Sequence, residues 1–347
     1  MNTNKTDLMD TPAEYAIGID IGGTNTKFGI VNHRGDISNR GDISTTNHKE
    51  LNLFIDELYE ELQPAIEAVG GIDFIKGIGV GAPNGNYYSG TIEYAPNLHW
   101  KGILPIAKLI NERFNKPCTL TNDANAAAIG ELMYGAGRGM RDFIMITLGT
   151  GVGSGIIANG QLIYGHDGFA GELGHTIIRP GGRLHWGTGM KGSLETYTSA
   201  TGIAITAKEI LDERVGEKSL LRNIPHEQIT SKRVYEAAIQ GDPIANEVFE
   251  ITGKILGEAL ANFVMFSSPE AIILFGGVIK AGNLLLDPVK VNMEKNLLPI
   301  FQNKVKLLFS ELKESDAAIL GASALVWEIK PDALKKVPEM EKQDSSK

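Results

Sequence analysis

The chain has one cysteine, Cys118, in 347 residues. That excludes an intrachain disulfide and a thiolate metal cluster. No apolar run approaches the ~18 residues of a membrane-spanning helix. Positive charge is also scarce: 33 Lys and Arg stand against 42 Asp and Glu, for a net charge of -9. A sequence-independent nucleic-acid binder needs clustered Lys and Arg instead. The first 13 residues, MNTNKTDLMDTPA, lack the apolar core of a signal peptide. The expected protein is cytoplasmic, with no membrane and no nucleic acid among its partners. At 42% hydrophobic and 22% charged residues, a sizeable core is available, and the length suggests roughly two domains.

Glycine is plentiful, with 41 residues, and it is gathered into clusters. The first is YAIGIDI-GGTN-TKFGIV from Tyr15, which reads as a strand, a glycine turn and a second strand. Asp20 lies at the end of the first strand. Gly22 and Gly23 let backbone N–H groups approach an anion, and Thr24, Asn25, Thr26 and Lys27 can add donors. The same turn would also serve a plain hairpin. The second cluster, FIMITLGTGVGSGII from Phe143, repeats the device around Gly149, Thr150 and Gly151. Two copies of one anion-gripping hairpin suggest an internal duplication.

Between the copies lies TLTNDANAAAIGEL, 119–132. It reads as a strand end, N-cap residues Thr121 and Asn122, and an Ala-rich helix that Gly135 stops. Asp123 thus sits at a helix mouth, where the dipole and free N–H groups are expected to hold it ionised. A carboxylate there suits a general base taking a proton from an alcohol, or it simply caps the helix.

Other segments supply hydrogen-bonding side chains. ELNLFIDELYEELQPAIEAV, 50–69, predicts an amphipathic helix broken or bent near Pro64. A long loop after the strand IKGIGVGAP carries Asn84, Asn97, His99 and Trp100, able to grip a polyol. ILPIAKLINERF, 103–114, predicts the helix that follows. GELGH places Glu172 and His175 three apart, and Glu195 opens an apparent helix. PEAIILFGG ends a buried strand at Gly276 and Gly277, where bare backbone admits a flat base or ribose. SDAAILGASALVWEIK is a small-residue helix able to pack closely on the one after Asp123.

Together these residues resemble the actin, sugar-kinase and heat-shock-chaperone ATPase superfamily, and within it the ROK family of sugar kinases and sugar-responsive repressors. DIGGTNTK, LGTGVGSG and FGG are similar to its two phosphate loops and its adenosine loop. TNDANAAAIGE resembles its catalytic strand–helix, and GELGH with SLE its sugar loops. The resemblance implies an α/β fold of two ribonuclease-H-like (actin-like ATPase) domains with a cleft between them. The expected domains are 14–128 plus 314–331, and 129–313, with a disordered tail over 332–347.

The implied activity is ATP-dependent phosphorylation of a hexose hydroxyl, most often glucose at C6, with Asp123 as general base. N-acetylmannosamine, N-acetylglucosamine, mannose and fructose are alternative acceptors, and phosphate donors other than ATP stay open. Asn97, Asn122, Asp123, Glu172, His175 and Glu195 would bind the sugar. Gly22, Gly23, Thr24, Asn25, Lys27, Gly149, Thr150, Gly151, Gly276 and Gly277 would bind the nucleotide, and Asp20 would hold Mg²⁺ through water. A homodimer is usual in the family.

The chain departs from the family at its zinc loop. In place of CxCGxxGCLE stands RLHWGTGMKGSLE, with His185, Gly187 and Ser193 near the three cysteine positions, so no zinc site is expected. A sugar-binding transcriptional regulator is the competing reading. Only 14 residues precede Tyr15, too few for the winged helix-turn-helix of such proteins.

Overall fold

The computed structural model describes residues 14–313 and 315–328. The tail expected over 332–347 lies outside them. The described residues form two compact units, one drawn from Met1–Gly130 and Ser315–Lys347, the other from Glu131–Glu314.

The first unit is built on five strands. β1 (Tyr15–Ile21), β2 (Asn25–Asn32) and β3 (Ile37–Ser44) form an antiparallel meander. α1 (Leu51–Ala68) follows, placing Phe54, Ile55, Leu58, Leu62 and Ile66 in the core at helical spacing. It continues through Pro64 as one element. β4 (Ile75–Ala82) pairs parallel to β1. It reads as an apolar run because a central strand is covered on both faces.

The predicted long loop after β4 instead folds into a small three-stranded sheet, β5 (Gly85–Asn86), β6 (Thr91–Glu93) and β7 (Ile103–Leu104). Strands of two or three residues are too short to leave a periodic pattern in the sequence. β7 also takes the first residues of the predicted helix, so α2 (Ile106–Phe114) starts only after Pro105. β8 (Cys118–Asn122) pairs parallel to β4 and leads directly into α3 (Asp123–Tyr134). The sheet order is β3-β2-β1-β4-β8.

The second unit repeats that plan. β9 (Phe143–Leu148), β10 (Val152–Ala158) and the short β11 (Gln161–Leu162) are the antiparallel meander. The one-turn α4 (Glu195–Thr198) and the 14-residue α5 (Ala200–Glu213) precede α6 (Ser231–Ala238). The long α7 (Pro243–Ser267) begins at Asp242, whose carboxylate accepts the Ala245 N–H at 2.9 Å. β12 (Ala271–Phe275) pairs parallel to β9; α8 (Asn283–Asn296) follows, and β13 (Lys306–Phe309) pairs parallel to β12. The order β11-β10-β9-β12-β13 matches the first sheet strand for strand.

The last described helix, α9 (Ala317–Glu328), lies on the first sheet. A Cβ at Gly18 of β1 would stand 2.1 Å from the Ile319 carbonyl, and one at Gly79 of β4 1.9 Å from that of Ala322. Bare backbone on both strands is therefore what lets the helix lie so close. α9 also meets α3 as its small residues predicted: a Cβ at Gly321 would fall 2.6 Å from the Ala126 carbonyl.

Candidate functional site

In the first unit, the candidate residues lie on the β1–β2 turn and at the start of α3. Asp20 is the next-to-last residue of β1, directly across from Lys27 on β2 and beside Gly81 on β4. The turn closes with Gly22 N–H on the Asn25 carbonyl at 3.0 Å. Thr24, Asn25 and Lys27 are exposed. A Cβ at Gly23 would lie 2.7 Å from the Asn97 carbonyl, so the exposed Asn97 sits against this turn. Thr26 does not join them: its hydroxyl is buried against the Thr45 hydroxyl at 2.9 Å.

Asn122 is the true cap of α3. Its Oδ1 accepts N–H groups from Ala124 at 2.8 Å and Asn125 at 3.2 Å, leaving the donor end of its amide to offer a ligand. Asp123 Oδ1 accepts the same Ala124 N–H at 2.8 Å. This N–H does not hold the Asp123 pKa down as its helix-end position predicts. The residue as a whole is exposed, yet enclosure of the carboxylate by protein mass pushes its pKa above the ordinary 3.8, against the opposing backbone N–H groups of Ala124 and Asp123. Asp20 rises to about 6, first from burial and then from the neighbouring Asp123 charge, with Lys27 pulling the other way. Two carboxylates with raised pKa values beside a glycine turn make this corner a candidate site.

Of the other polar residues expected to grip a ligand, three serve the fold. Asn84, at a φ of 51°, donates to the Glu93 carbonyl at 3.0 Å. His99 Nε2 bonds to the His48 carbonyl at 2.8 Å. Trp100 Nε1 donates to the Lys49 carbonyl, and its ring packs 4.9 Å from that of Phe54.

In the second unit, Gly149 and Thr150 line a cavity of about 580 Å³ together with Gly277, Ile203, Tyr235, Phe249 and Lys280. The turn is tied down through the Gly149 carbonyl, which accepts the first N–H of α5 at 2.8 Å. Gly276, at a φ of 105°, brings the end of β12 against Leu148, where a Cβ would stand 2.5 Å from the carbonyl. A Cβ on Gly277 meets nothing within 4 Å, so open space lies at that backbone. Ser231, Lys232 and Tyr235 also face the cavity. Sequence reading passed over them because SKRVYEAAIQ shows only a helical period; their i, i+1, i+4 spacing was the available sign.

Glu195 is 12% exposed and uses both oxygens: Oε2 accepts the Val152 N–H at 2.7 Å, and Oε1 meets His185 Nε2 at 2.6 Å. A Cβ at Gly151 would stand 2.5 Å from Oε2, so the carboxylate lies directly on the second glycine turn. Glu172 is exposed and His175 half-buried, with Glu172 Oε2 3.8 Å from His175 Nε2. His175 Nδ1 is buried without a hydrogen-bond partner. Among the described residues no group of three or more His, Cys, Asp or Glu is arranged to hold a metal.

Residues 16–329 match the family described as ROK family. A glucokinase of Halalkalibacterium halodurans is 36% identical over 315 residues, covering 90% of this chain and 94% of that protein. A xylose repressor of Caldicellulosiruptor bescii is 30% identical, covering 89% of this chain and 77% of the repressor. Among solved structures, a ROK family glucokinase of Streptomyces griseus in complex with glucose and AMPPNP is 33% identical with a TM-score of 0.72, covering 90% of this chain and 98% of that one. The duplicated sheets are those of the two-domain actin-like ATPase fold. The repeated glycine hairpins, the shared strand order and a match running nearly the length of the described residues lead to one conclusion: this chain belongs to the ROK family.

Proposed function

We propose that this protein is an ATP-dependent sugar kinase, with glucose phosphorylated at C6 as the leading specific reaction. The observation that carries the nucleotide half is the cavity in whose wall Gly149, Thr150 and Gly277 meet. Those are positions the sequence assigned to phosphate and adenosine. Its volume is of the size that holds a small-molecule cofactor. The glucokinase relatives and the complex of one with glucose and AMPPNP support the same reading.

The chemistry follows from the residues. Asp123 accepts the proton of the attacking sugar hydroxyl; burial raises its pKa, which makes its carboxylate a stronger proton acceptor than an ordinary one. Phosphoryl transfer through a loose transition state needs orientation and charge stabilisation more than a strong base. Backbone N–H groups of the two glycine turns supply part of that stabilisation. Asp20 offers the hard oxygen that Mg²⁺ prefers, and one carboxylate fits an ion that keeps most of its water and takes phosphate oxygens. Bound there, Mg²⁺ would neutralise phosphate charge. Asn97, Asn122, Glu172, His175 and Glu195 hold sugar hydroxyls in this reading, and the protein works in the cytoplasm as a homodimer.

A sugar-responsive regulator is the second reading, favoured by the identity with the xylose repressor. ADP release measured across glucose, mannose, N-acetylglucosamine, N-acetylmannosamine and fructose separates the two. The kinase predicts turnover, highest with glucose. Sugar binding without turnover on any of them would favour the regulator.

A further inference from the structure

The ROK resemblance implies a structural zinc beside the sugar loops, and the residues here do not fit one. His185 stands near the first family cysteine. Its Nδ1 accepts N–H groups from Gly187 and Thr188, both at 3.0 Å, and its Nε2 meets Glu195 Oε1 at 2.6 Å. Both ring nitrogens are engaged, so no lone pair is left for a metal. The remaining candidates are the buried, unpartnered His175 Nδ1 and Ser193 Oγ, and one imidazole with one hydroxyl make no tetrahedral zinc site.

The segment is held by other means. Its two arms pair through Ile177 with Ser193 and Leu184 with Lys191, and Leu194 N–H closes on the Thr176 carbonyl at 3.0 Å. The Arg183 side chain, 10% exposed, bonds to the carbonyls of Thr196 and Gly202, to Thr206 Oγ1 and to Glu209. Its guanidinium stacks on the Tyr197 ring at 4.6 Å. At the base of the segment Arg179 bonds to Glu258. These contacts tie the arms down without a metal, and the His185 ring holds the loop's tip through Nδ1 alone, which leaves Nε2 for another task.

That task is set by its tautomer. Two N–H donors on Nδ1 require its lone pair, so the ring proton sits on Nε2 and points at Glu195. The ring itself is 5% exposed and stacked against Trp186 at 4.6 Å. With Val152 N–H on the other oxygen, Glu195 is clamped between a fixed imidazole and the glycine turn. Each carboxylate oxygen keeps a further lone pair for a hydroxyl.

We infer that His185 is a positioning residue that replaces a metal: it aims the Glu195 carboxylate at the acceptor sugar from a loop that needs no zinc. This rests on the sugar-kinase reading. The test combines kinetics, calorimetry and elemental analysis on the full chain. His185→Ala is expected to raise the sugar KM and the calorimetric sugar Kd about tenfold or more, the loss of one hydrogen bond to a charged group. The ATP KM should stay within about twofold. His185→Gln, whose amide can still donate to Glu195, should recover most of the sugar affinity. Purified wild type should hold no stoichiometric zinc. Long-range ¹⁵N NMR of the imidazoles should show one ring locked as the Nε2–H tautomer and lost in both variants, and this readout survives if His185→Ala does not fold. An unchanged sugar KM in His185→Ala, a ring protonated on Nδ1, or one zinc per chain whose removal abolishes sugar binding would each overturn the inference while leaving the kinase reading intact. A wild type that neither binds nor phosphorylates any sugar would sink both together.

Discussion

The two sheets share a strand order and differ at one position that matters. In the first, the next-to-last residue of β1 is Asp20, paired across the hairpin with Lys27. In the second, the next-to-last residue of β9 is Thr147, paired with Gly153, and its hydroxyl accepts the Gly153 N–H at 3.0 Å. One copy keeps an ionisable group at the turn; the other spends the same position on stabilising the turn itself. The turns differ too. Gly149 and Thr150 open onto a cavity, and Gly151 is covered by a carboxylate from another segment. Gly22 and Gly23 belong to a four-residue turn over 22–25 that lies against Asn97. On two matching frames, the first keeps Asp20 and Asp123 near its turn, while the second opens Gly149 and Thr150 onto a cavity of about 580 Å³.

That division can be broken most severely at Asp123. Asp123→Asn should lower kcat by about 10²–10⁴, the usual contribution of a general base, with sugar Kd by calorimetry nearly unchanged. Full turnover in this variant would remove the acid–base role from the first unit. Next in size is Gly277→Val. Open space around that backbone lets the fold accept the side chain, while the cavity loses volume. The ATP KM should rise about tenfold or more by the transfer of binding loss into KM, with Tm little changed; an unchanged KM would place the nucleotide elsewhere.

The pH dependence sharpens the comparison through Asp20. Activity should fall as pH drops through about 6, where Asp20 takes up a proton in the unliganded protein. Stability should move the other way. Because the folded pKa of Asp20 is raised from 3.8 to about 6, its contribution is present below the unfolded value and is lost as pH rises through about 6. Asp20→Asn should therefore abolish metal-dependent turnover and yet stabilise the unliganded protein at pH 8 by about 1 kcal/mol, a figure trimmed for partial solvent access. Urea titration of wild type and variant at pH 5 and pH 8 checks the sign. The smallest expected effect is Asn122→Ala, which removes the α3 cap and should cost about 1 kcal/mol or less in the same titration.

Much of this was open to sequence reading. The β1–β2 and β9–β10 hairpins, the β8–α3 turn with its Asn122 cap, and α9 packing on α3 through Gly321 all follow from local rules: strand alternation, turn glycines, capping residues and small-residue spacing. The family follows from the order in which those motifs come. Their sequence signals are local, so a one-dimensional reading recovers them.

Tertiary structure decided what local rules cannot reach. It turned the 84–102 loop into a small sheet and assigned Asn84, His99 and Trp100 to the fold. It raised the pKa of Asp123 where helix-end reasoning alone pointed to a carboxylate held ionised. It also brought His185 and Glu195, ten residues apart in one segment, against Val152 of β10. Enclosure, and the meeting of groups distant in sequence, are properties of packed volume. They are set by how the chain folds back on itself, and no residue type or spacing records them.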